Sequence, residues 1–254
     1  MFRRLALALL PAIVVAVSPA AAQERAGRSQ SVLAAQRPGI VDTYILSFGL
    51  WGPQSVFESE ARGAARVLEA TLDAKRRSIV RFNTKSRAGA TPEALFAAAE
   101  VVRRTIDPQE DVVVLVLTSH GSPEGIGLVA GRNSALMRPG DAAKLLDATG
   151  AQHRVLIVSA CYSGIFAKAL ANPRTLVITA ASADRPSFGC RDGATWTYFG
   201  DAFFNRALRT EPSLDRAFAT ARGLVAAREK QENYDPSNPQ IAGGEEVLAR
   251  LQRR

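Results

Sequence analysis

The stretch VVVLVLTSHG, residues 112–121, decides the fold, and a second stretch of the same kind, RVLIVSACYSG, occupies residues 154–164. Each is mainly a run of apolar or β-branched residues long enough for one buried strand, and each ends in a short loop of small residues. The first loop carries His120 and the second carries Cys161. Ligands collect at the carboxyl ends of strands in an open parallel sheet, so neighbouring strands would place imidazole and thiol on one edge. The pattern therefore indicates an enzyme with a cysteine nucleophile.

Strand and helix patterns alternate along the chain from Ile40 onward. Helices of ten or more residues between short apolar strands are typical of right-handed βαβ crossovers, so we expect an α/β fold with a mostly parallel sheet. Residues 125–138 suit a small hairpin, and residues 233–244 suit irregular chain. Strands are predicted over residues 40–48, 78–83, 112–118, 154–160 and 175–180, and helices over 55–75, 91–106, 141–148, 163–170, 198–208, 213–232 and a short C-terminal segment.

The first 22 residues have the three parts of a secretory signal peptide. Arg3 and Arg4 are followed by the apolar run Leu5–Val17, and Ala20-Ala21-Ala22 supplies small residues for cleavage before Gln23. A membrane anchor is the weaker reading because the apolar run is too short to span a bilayer. We therefore expect a periplasmic or secreted protein without stable membrane insertion, with residues 23–39 as a flexible lead-in and residues 40–254 as a single domain.

Composition disfavours several other classes of protein. The formal net charge of +8 falls to +6 without the two arginines of the signal peptide, and the basic residues form no block that would indicate a nucleic-acid partner. Two cysteines in an exported chain of this length do not make a disulfide scaffold. His120, Cys161 and Cys190 lie far apart in sequence without metal-ligand spacing, so no metal or other cofactor is expected.

The cysteines and histidines could also have a purely structural role. Cys161 lies just before a predicted helix, whose first amides would lower the pKa of a thiol, but a small cysteine is also common in protein cores. His120 could be a satisfied residue of a tight turn, and the other histidine, His153, is assigned no role because it lies at the start of a strand. Cys190 is read as a shielded free thiol, with a disulfide to Cys161 as the alternative.

The motifs around His120 and Cys161 together resemble those of a known protein family. Ser119-His120-Gly121 and Ser159-Ala160-Cys161-Tyr162-Ser163-Gly164, with the cysteine 41 positions after the histidine, resemble the legumain-type cysteine peptidases. The resemblance continues through residues 179–185, 187–190 and 197–201, and covers roughly residues 40–221. That family includes the catalytic subunit of the GPI-anchor transamidase. The resemblance implies a caspase-like three-layer α/β/α sandwich with a mostly parallel central sheet, forming one peptidase domain over residues 40–254.

The resemblance also implies roles for individual residues. Cys161 matches the nucleophile, His120 the general acid/base, and the amides of Gly121 and Cys161 the oxyanion hole. Ser159 replaces a glutamate of the family, and the region Trp51–Phe57 lacks the arginine of its specificity pocket. A basic or neutral substrate side chain is therefore as plausible as asparagine. Gln54 is a candidate for orienting His120. The residues that match the walls of the pocket are Ser159, Ser187 and Asp201.

The sequence thus predicts an exported cysteine endopeptidase that acts on protein or peptide substrates. A transpeptidase or peptide ligase of the same family would use the same residues and pass the acyl group to an amine. A non-catalytic peptide-binding module on the same fold is a further alternative, because function resides in sites and not in folds. A flavodoxin-like cofactor binder is disfavoured, since the first strand is not followed by a glycine-rich loop.

Overall fold

The computed structural model describes residues 33–252. The predicted signal peptide, residues 1–22, lies outside this range, as do residues 23–32 of the predicted lead-in. The described remainder of the lead-in contacts the domain, because the side chain of Leu33 is buried in the core. The amide of Ala34 also donates a hydrogen bond to the carbonyl oxygen of Arg76 at 2.9 Å.

A six-stranded sheet forms the centre of the molecule. Its strand order is β2-β1-β3-β7-β8-β9, and all neighbouring pairs are parallel except β8 and β9. A separate antiparallel sheet consists of β4, β5 and β6. In chain order the strands are β1 (Thr43–Gly49), β2 (Ser78–Phe82), β3 (Val112–Thr118), β4 (Gly121–Ser122), β5 (Gly125–Ala130), β6 (Asn133–Met137), β7 (His153–Ser159), β8 (Thr175–Thr179) and β9 (Gln240–Ala242).

Helices connect the parallel strands, as the sequence predicts. Thr91 caps one of them by accepting a hydrogen bond from the amide of Ala94 at 3.3 Å. No helix within residues 33–252 has both the length and the apolar content needed to cross a bilayer. The helices are α1 (Ser55–Thr71), α2 (Pro92–Arg103), α3 (Pro139–Ala148), α4 (Gly164–Leu170), α5 (Tyr198–Gly200, continuing as π-helix Asp201–Arg206 and 3₁₀ helix Ala207–Arg209), α6 (Leu214–Gln231) and α7 (Glu245–Leu251).

The central strands bury both of their faces, which produces three layers. Along β3, Val113, Leu115 and Leu117 pack in one core with α2, α3 and α4. The alternate residues of the strand pack in the other core with α1, α5, α6 and α7. Burying one such side chain stabilises the fold by roughly 1.5–3 kcal/mol. The predicted α/β sandwich with a mostly parallel sheet is therefore confirmed.

Two short strands were not expected from the sequence. The predicted hairpin over residues 125–138 is present as β5 and β6, but β4 adds a third strand to it. Residues 233–244 are irregular as predicted except for β9, which pairs with the edge of β8. Both additions are two or three residues long, so neither shows the alternating pattern by which a strand is recognised.

A buried ionic cluster lies at the amino-terminal ends of β1 and β2. The carboxylate of Asp42 is fully buried and contacts Arg77, itself almost fully buried, at 3.2 Å and Arg37 at 2.7 Å. It also accepts a hydrogen bond from the amide of Arg37 at 2.8 Å. Removing one member of a buried charge pair leaves the other charge without compensation, which is strongly destabilising.

We predict that Asp42→Ala lowers the free energy of unfolding by about 3–5 kcal/mol, because it leaves the Arg77 guanidinium buried without its carboxylate. Asp73 is the matched control: its exposed carboxylate lies 3.4 Å from the same Arg37. Asp73→Ala should change stability by less than about 1 kcal/mol. Urea denaturation followed by circular dichroism measures both values. Similar losses in the two variants would contradict this account of the cluster.

Candidate active site

The register of the central strands brings the loop that carries His120 and the loop that carries Cys161 to the same end of the sheet, at the carboxyl ends of β3 and β7. β3 and β7 are parallel neighbours, and Thr118 is paired with Ser159. His120 and Cys161 therefore each follow a paired residue by two positions, and their separation of 41 residues equals the offset of the strand pairing. The amide of Ser119 extends the contact by donating to the carbonyl oxygen of Ser159 at 3.2 Å.

Cys161 occupies a sharp turn between β7 and α4. The following residue, Tyr162, has a φ of 55°, in the left-handed region that side chains with a Cβ rarely adopt. Helix α4 begins at Gly164, one residue later than predicted. The turn leaves the sulfur half-buried, at the carboxyl edge of the sheet.

Ser187 surrounds the sulfur of Cys161 with polar groups. Its amide donates to Sγ at 3.2 Å and its hydroxyl does so at 3.7 Å, while the thiol donates to its carbonyl oxygen at 3.4 Å. Ser187 belongs to the irregular loop between β8 and α5. This loop is therefore in direct contact with the candidate nucleophile.

His120 is held on three sides. Its ring lies edge-on to Trp51 and Phe57, with ring centroids 4.9 Å and 5.0 Å away, and its Nε2 atom is hydrogen-bonded to Oε1 of Gln54. Burial against these neighbours lowers the pKa of His120 below its ordinary value of 6.5. The imidazole is accordingly neutral at pH 7.

Gln54 also determines the tautomer of that imidazole. Its amide nitrogen donates to the carbonyl oxygen of Cys190 at 2.9 Å, so its oxygen is the atom that faces His120. An amide oxygen accepts only, and Nε2 of His120 must therefore carry the proton. Nδ1 is left as the basic nitrogen, free to exchange a proton on the other side of the ring.

Gly121 allows the two loops to approach closely. A Cβ atom at this position would lie 2.0 Å from the carbonyl oxygen of Cys161, and no real side chain tolerates that distance. The backbones that carry the two predicted oxyanion donors, the amides of Gly121 and Cys161, are thus adjacent.

A buried carboxylate, which the sequence analysis did not identify, lies beneath the site. Glu60 on α1 is fully buried, accepting hydrogen bonds from the hydroxyl of Thr118 at 2.7 Å and from the amide of Thr197 at 2.8 Å. Ser159 also hydrogen-bonds to it, and the dominant effect of burial raises the pKa of Glu60 above 4.5. Gly200 is needed here, since a Cβ would lie 1.9 Å from Oε2.

The three predicted pocket residues have different surroundings. Ser187 contacts the sulfur of Cys161, as described above. Ser159 is buried, and its hydroxyl lies 3.1 Å from that of Thr197 in the layer around Glu60. Asp201 accepts a hydrogen bond from the side chain of Asn205 at 2.8 Å on its own helix, one turn from the Glu60 contacts.

Both cysteines are free thiols, as the preferred interpretation of Cys190 expects. Burial raises the pKa of Cys190 to about 12, and the nearby Cys161 and Glu60 add to this effect. The Cys190 thiol is therefore protonated at neutral pH. Within residues 33–252, no group of three or more His, Cys, Asp or Glu side chains converges as the ligands of a metal would.

The loop between β8 and α5 is fixed at several points. Asp192 accepts hydrogen bonds from the amide and hydroxyl of Ser55, at 2.8 Å and 2.9 Å, and forms an ion pair with Lys85 at 2.8 Å. Farther back along the loop, the ring of Phe188 stacks on Tyr234 with centroids 4.2 Å apart. These contacts keep the segment around Ser187 and Cys190 against the first turn of α1.

Comparison with known proteins places these features in context. The model of the Peptidase C13 family matches residues 93–246, a range that includes both chemical loops. No curated protein matches the chain at a significant level. The crystal structure of caspase-1 from Spodoptera frugiperda is similar over 83% of this chain and 96% of that chain, with a TM-score of 0.52 and 14% identity. That likeness confirms the predicted caspase-like fold.

We predict different effects on stability for two substitutions of Glu60. Glu60→Ala leaves the buried amide of Thr197 and two hydroxyls without an acceptor, and should cost about 2–4 kcal/mol of stability. Glu60→Gln should be at least as stable as the wild type at pH 7, because its amide oxygen can accept from Thr197 while its nitrogen donates to the hydroxyl of Thr118. Urea unfolding at pH 7 measures both, with Glu58→Gln as a control on the outer part of the same helix.

The pH dependence of that stability has a definite sign. Since the pKa of Glu60 is raised in the folded protein, the unfolded chain loses this proton at lower pH than the folded chain does. The wild type should therefore lose stability relative to Glu60→Gln as the pH rises above about 4.5. A stability difference that moves in the opposite direction between pH 4 and pH 7 would refute the assignment.

The environment of His120 predicts a low titration midpoint. Proton NMR of the ring should show half-protonation below pH 6.5, because burial disfavours the imidazolium. Trp51→Ala exposes one face of the ring and should move the midpoint towards 6.5. The resonances of His153, at the other end of the sheet, serve as an internal control. A wild-type midpoint at or above 6.5 would be inconsistent with the enclosure seen here.

Proposed function

Because the chain belongs to the peptidase C13 family of legumain-type cysteine peptidases, we propose that it hydrolyses peptide bonds as an endopeptidase, with Cys161 as nucleophile and His120 as general acid/base. The observation that supports this most directly is the strand register, because each of the two residues lies two positions after a pair of directly opposed strand residues, Thr118 and Ser159. The fixed tautomer of His120 adds support, since it leaves Nδ1 available for proton transfer.

In the proposed reaction, the chain's own groups carry each step. Nδ1 of His120 takes the proton of the Cys161 thiol, and the sulfur attacks the substrate carbonyl carbon. The amides of Gly121 and Cys161 hold the resulting oxyanion. When the C–N bond breaks, the imidazolium gives its proton to the departing amine. Water, deprotonated by the same imidazole, then attacks the thioester. The C–S bond breaks, the acid product is released, and the imidazolium returns its proton to the sulfur of Cys161.

The surroundings favour a basic or neutral substrate residue before the scissile bond. Ser187 contacts the sulfur directly, and Ser159 lies over the Glu60 carboxylate. Asp201 is the acidic residue among the predicted pocket positions, and the segment Trp51–Phe57 carries no arginine. A cationic side chain is attracted to such a region, whereas an acidic one is repelled.

The location of the protein is a separate proposal that rests on the leader-like first 22 residues. We propose that the chain is exported and acts in the periplasm or outside the cell, where its protein substrates would be encountered. Fractionation of cells that produce the full chain, with N-terminal sequencing of the product, tests this. A product that begins at Gln23 supports export, and an uncleaved cytoplasmic product contradicts it.

We predict that Cys161→Ala lowers kcat/KM on a peptide library by at least about a thousandfold and abolishes labelling by acyloxymethyl-ketone probes. Cys190→Ala is the matched control and should keep both properties, because its thiol is buried and protonated. Mass spectrometry of the library identifies the cleaved bond and the preferred residue together. Turnover that persists in Cys161→Ala would refute the proposed mechanism.

The same experiment separates hydrolysis from acyl transfer. With added amine, a peptidase gives mainly the free acid, whereas a transpeptidase gives a new amide of measurable mass. Dominant amide formation at low amine concentration would replace endopeptidase with ligase as the activity of this site. Tight peptide binding without probe labelling in the wild type would show a binding module instead.

A further inference from the structure

An open cavity of about 520 Å³ lies between the second half of α1 and the 3₁₀ end of α5. Its volume is within the range of small-ligand sites, roughly 300–1,000 Å³. The hydroxyl of Thr71, the last residue of α1, donates a hydrogen bond to the carbonyl oxygen of Leu208 at 3.2 Å, so the two walls are joined directly. None of the candidate catalytic or pocket residues lines this cavity, which is therefore distinct from the candidate active site.

Each of the two walls contributes one exposed arginine to the lining, Arg66 from α1 and Arg209 from the 3₁₀ end of α5. Neither guanidinium forms an ion pair or a side-chain hydrogen bond within residues 33–252. Two cations that line one cavity create a positive potential in it, which raises the local concentration of anions. The cavity is therefore a candidate site for an anionic ligand.

The acidic residues nearest to these arginines along the chain have other partners. Glu69 accepts a hydrogen bond from the hydroxyl of Ser78. Glu211 forms an ion pair with Arg216 at 2.8 Å. Neither glutamate lines the cavity, whose lining in the described part of the chain contains two cations and no carboxylate. The positive charge of the two arginines is thus left for a ligand to balance.

We propose that this cavity binds a small phosphate monoester that carries hydroxyl groups. At neutral pH a phosphate monoester has close to two negative charges, which balance the two guanidinium groups, whereas a carboxylate would balance only one. The planar forks of Arg66 and Arg209 also suit phosphate, because a guanidinium can donate two parallel hydrogen bonds to two of its oxygens.

Two threonines in the lining account for the hydroxyl groups of the ligand. The hydroxyl of Thr71 donates to the carbonyl oxygen of Leu208, and the hydroxyl of Thr210 donates to that of Ala207 at 3.1 Å. A hydroxyl has one proton, so both threonine oxygens can take part in further hydrogen bonds only as acceptors. They can therefore accept from ligand hydroxyls but cannot donate to the phosphate.

Calorimetric titration of the protein at pH 7 with three probes of equal carbon number tests this proposal. We expect saturable binding of glycerol 3-phosphate, binding of propyl phosphate at least about threefold weaker, and binding of glycerate at least about tenfold weaker. Arg66→Gln and Arg209→Gln should each weaken binding of glycerol 3-phosphate at least about tenfold. Arg206→Gln is the matched control and should bind as well as the wild type, because Arg206 is exposed on the same helix but does not line the cavity.

A further variant tests the cavity without removing either arginine. Ala70 is an exposed lining residue on α1, and Ala70→Glu places a carboxylate beside the arginines, so this variant should fold and lose binding of glycerol 3-phosphate.

Absence of saturable glycerol 3-phosphate binding to the wild type would overturn the proposal. Glycerate or propyl phosphate bound as tightly as glycerol 3-phosphate would also overturn it, since the ligand would then not be a hydroxylated phosphate ester. An equal loss of affinity in Arg206→Gln, Arg66→Gln and Arg209→Gln would show a general effect of net charge instead of a site.

Discussion

The parallel pairing of β3 with β7 is the constraint on which the rest of the molecule depends. Both strands are buried on both faces, and their alternate side chains belong to two different cores. A shift of one residue would move every side chain of a strand to the opposite face of the sheet, into the core to which it does not belong. The register that hydrophobic burial selects is also the register that aligns His120 with Cys161. Packing energy therefore positions the candidate chemistry, and no additional interaction is needed to choose it.

The start of α1 adds what the sheet alone cannot provide. Gln54, Phe57 and Glu60 are spaced by three residues, and each contacts the carboxyl edge of the sheet. Gln54 fixes the proton on Nε2 of His120, and Phe57 shields the ring from water. Glu60 joins the last residues of β3 and β7 to the start of α5. Strand pairing thus sets the positions of the loops that carry His120 and Cys161. The start of α1 sets the orientation and the protonation of the His120 ring.

The sequence was sufficient for the parts of the fold that repeat a simple pattern. The buried runs before His120 and Cys161 correctly predict the strands β3 and β7. Glu60 could not be found in this way, because a glutamate on an amphipathic helix normally faces solvent and its partners are 58 and 137 residues away. The strand β9 was missed for a related reason, since the strand it pairs with, β8, lies more than 60 residues earlier in the chain. Hydrophobic periodicity predicts which residues are buried. The buried position of Glu60 and the pairing of β9 depend instead on hydrogen bonds to groups that are distant in sequence.

The two ends of the sheet are stabilised in different ways. At the amino edge, the buried Asp42 is matched by two arginines. At the carboxyl edge, Glu60 is buried with hydroxyls and an amide but no cation, Tyr162 is left-handed, and His120 is half-buried as a neutral ring. Each of these features costs free energy that the surrounding core must offset. We expect local unfolding to begin at the carboxyl end, where these features adjoin the irregular loop between β8 and α5.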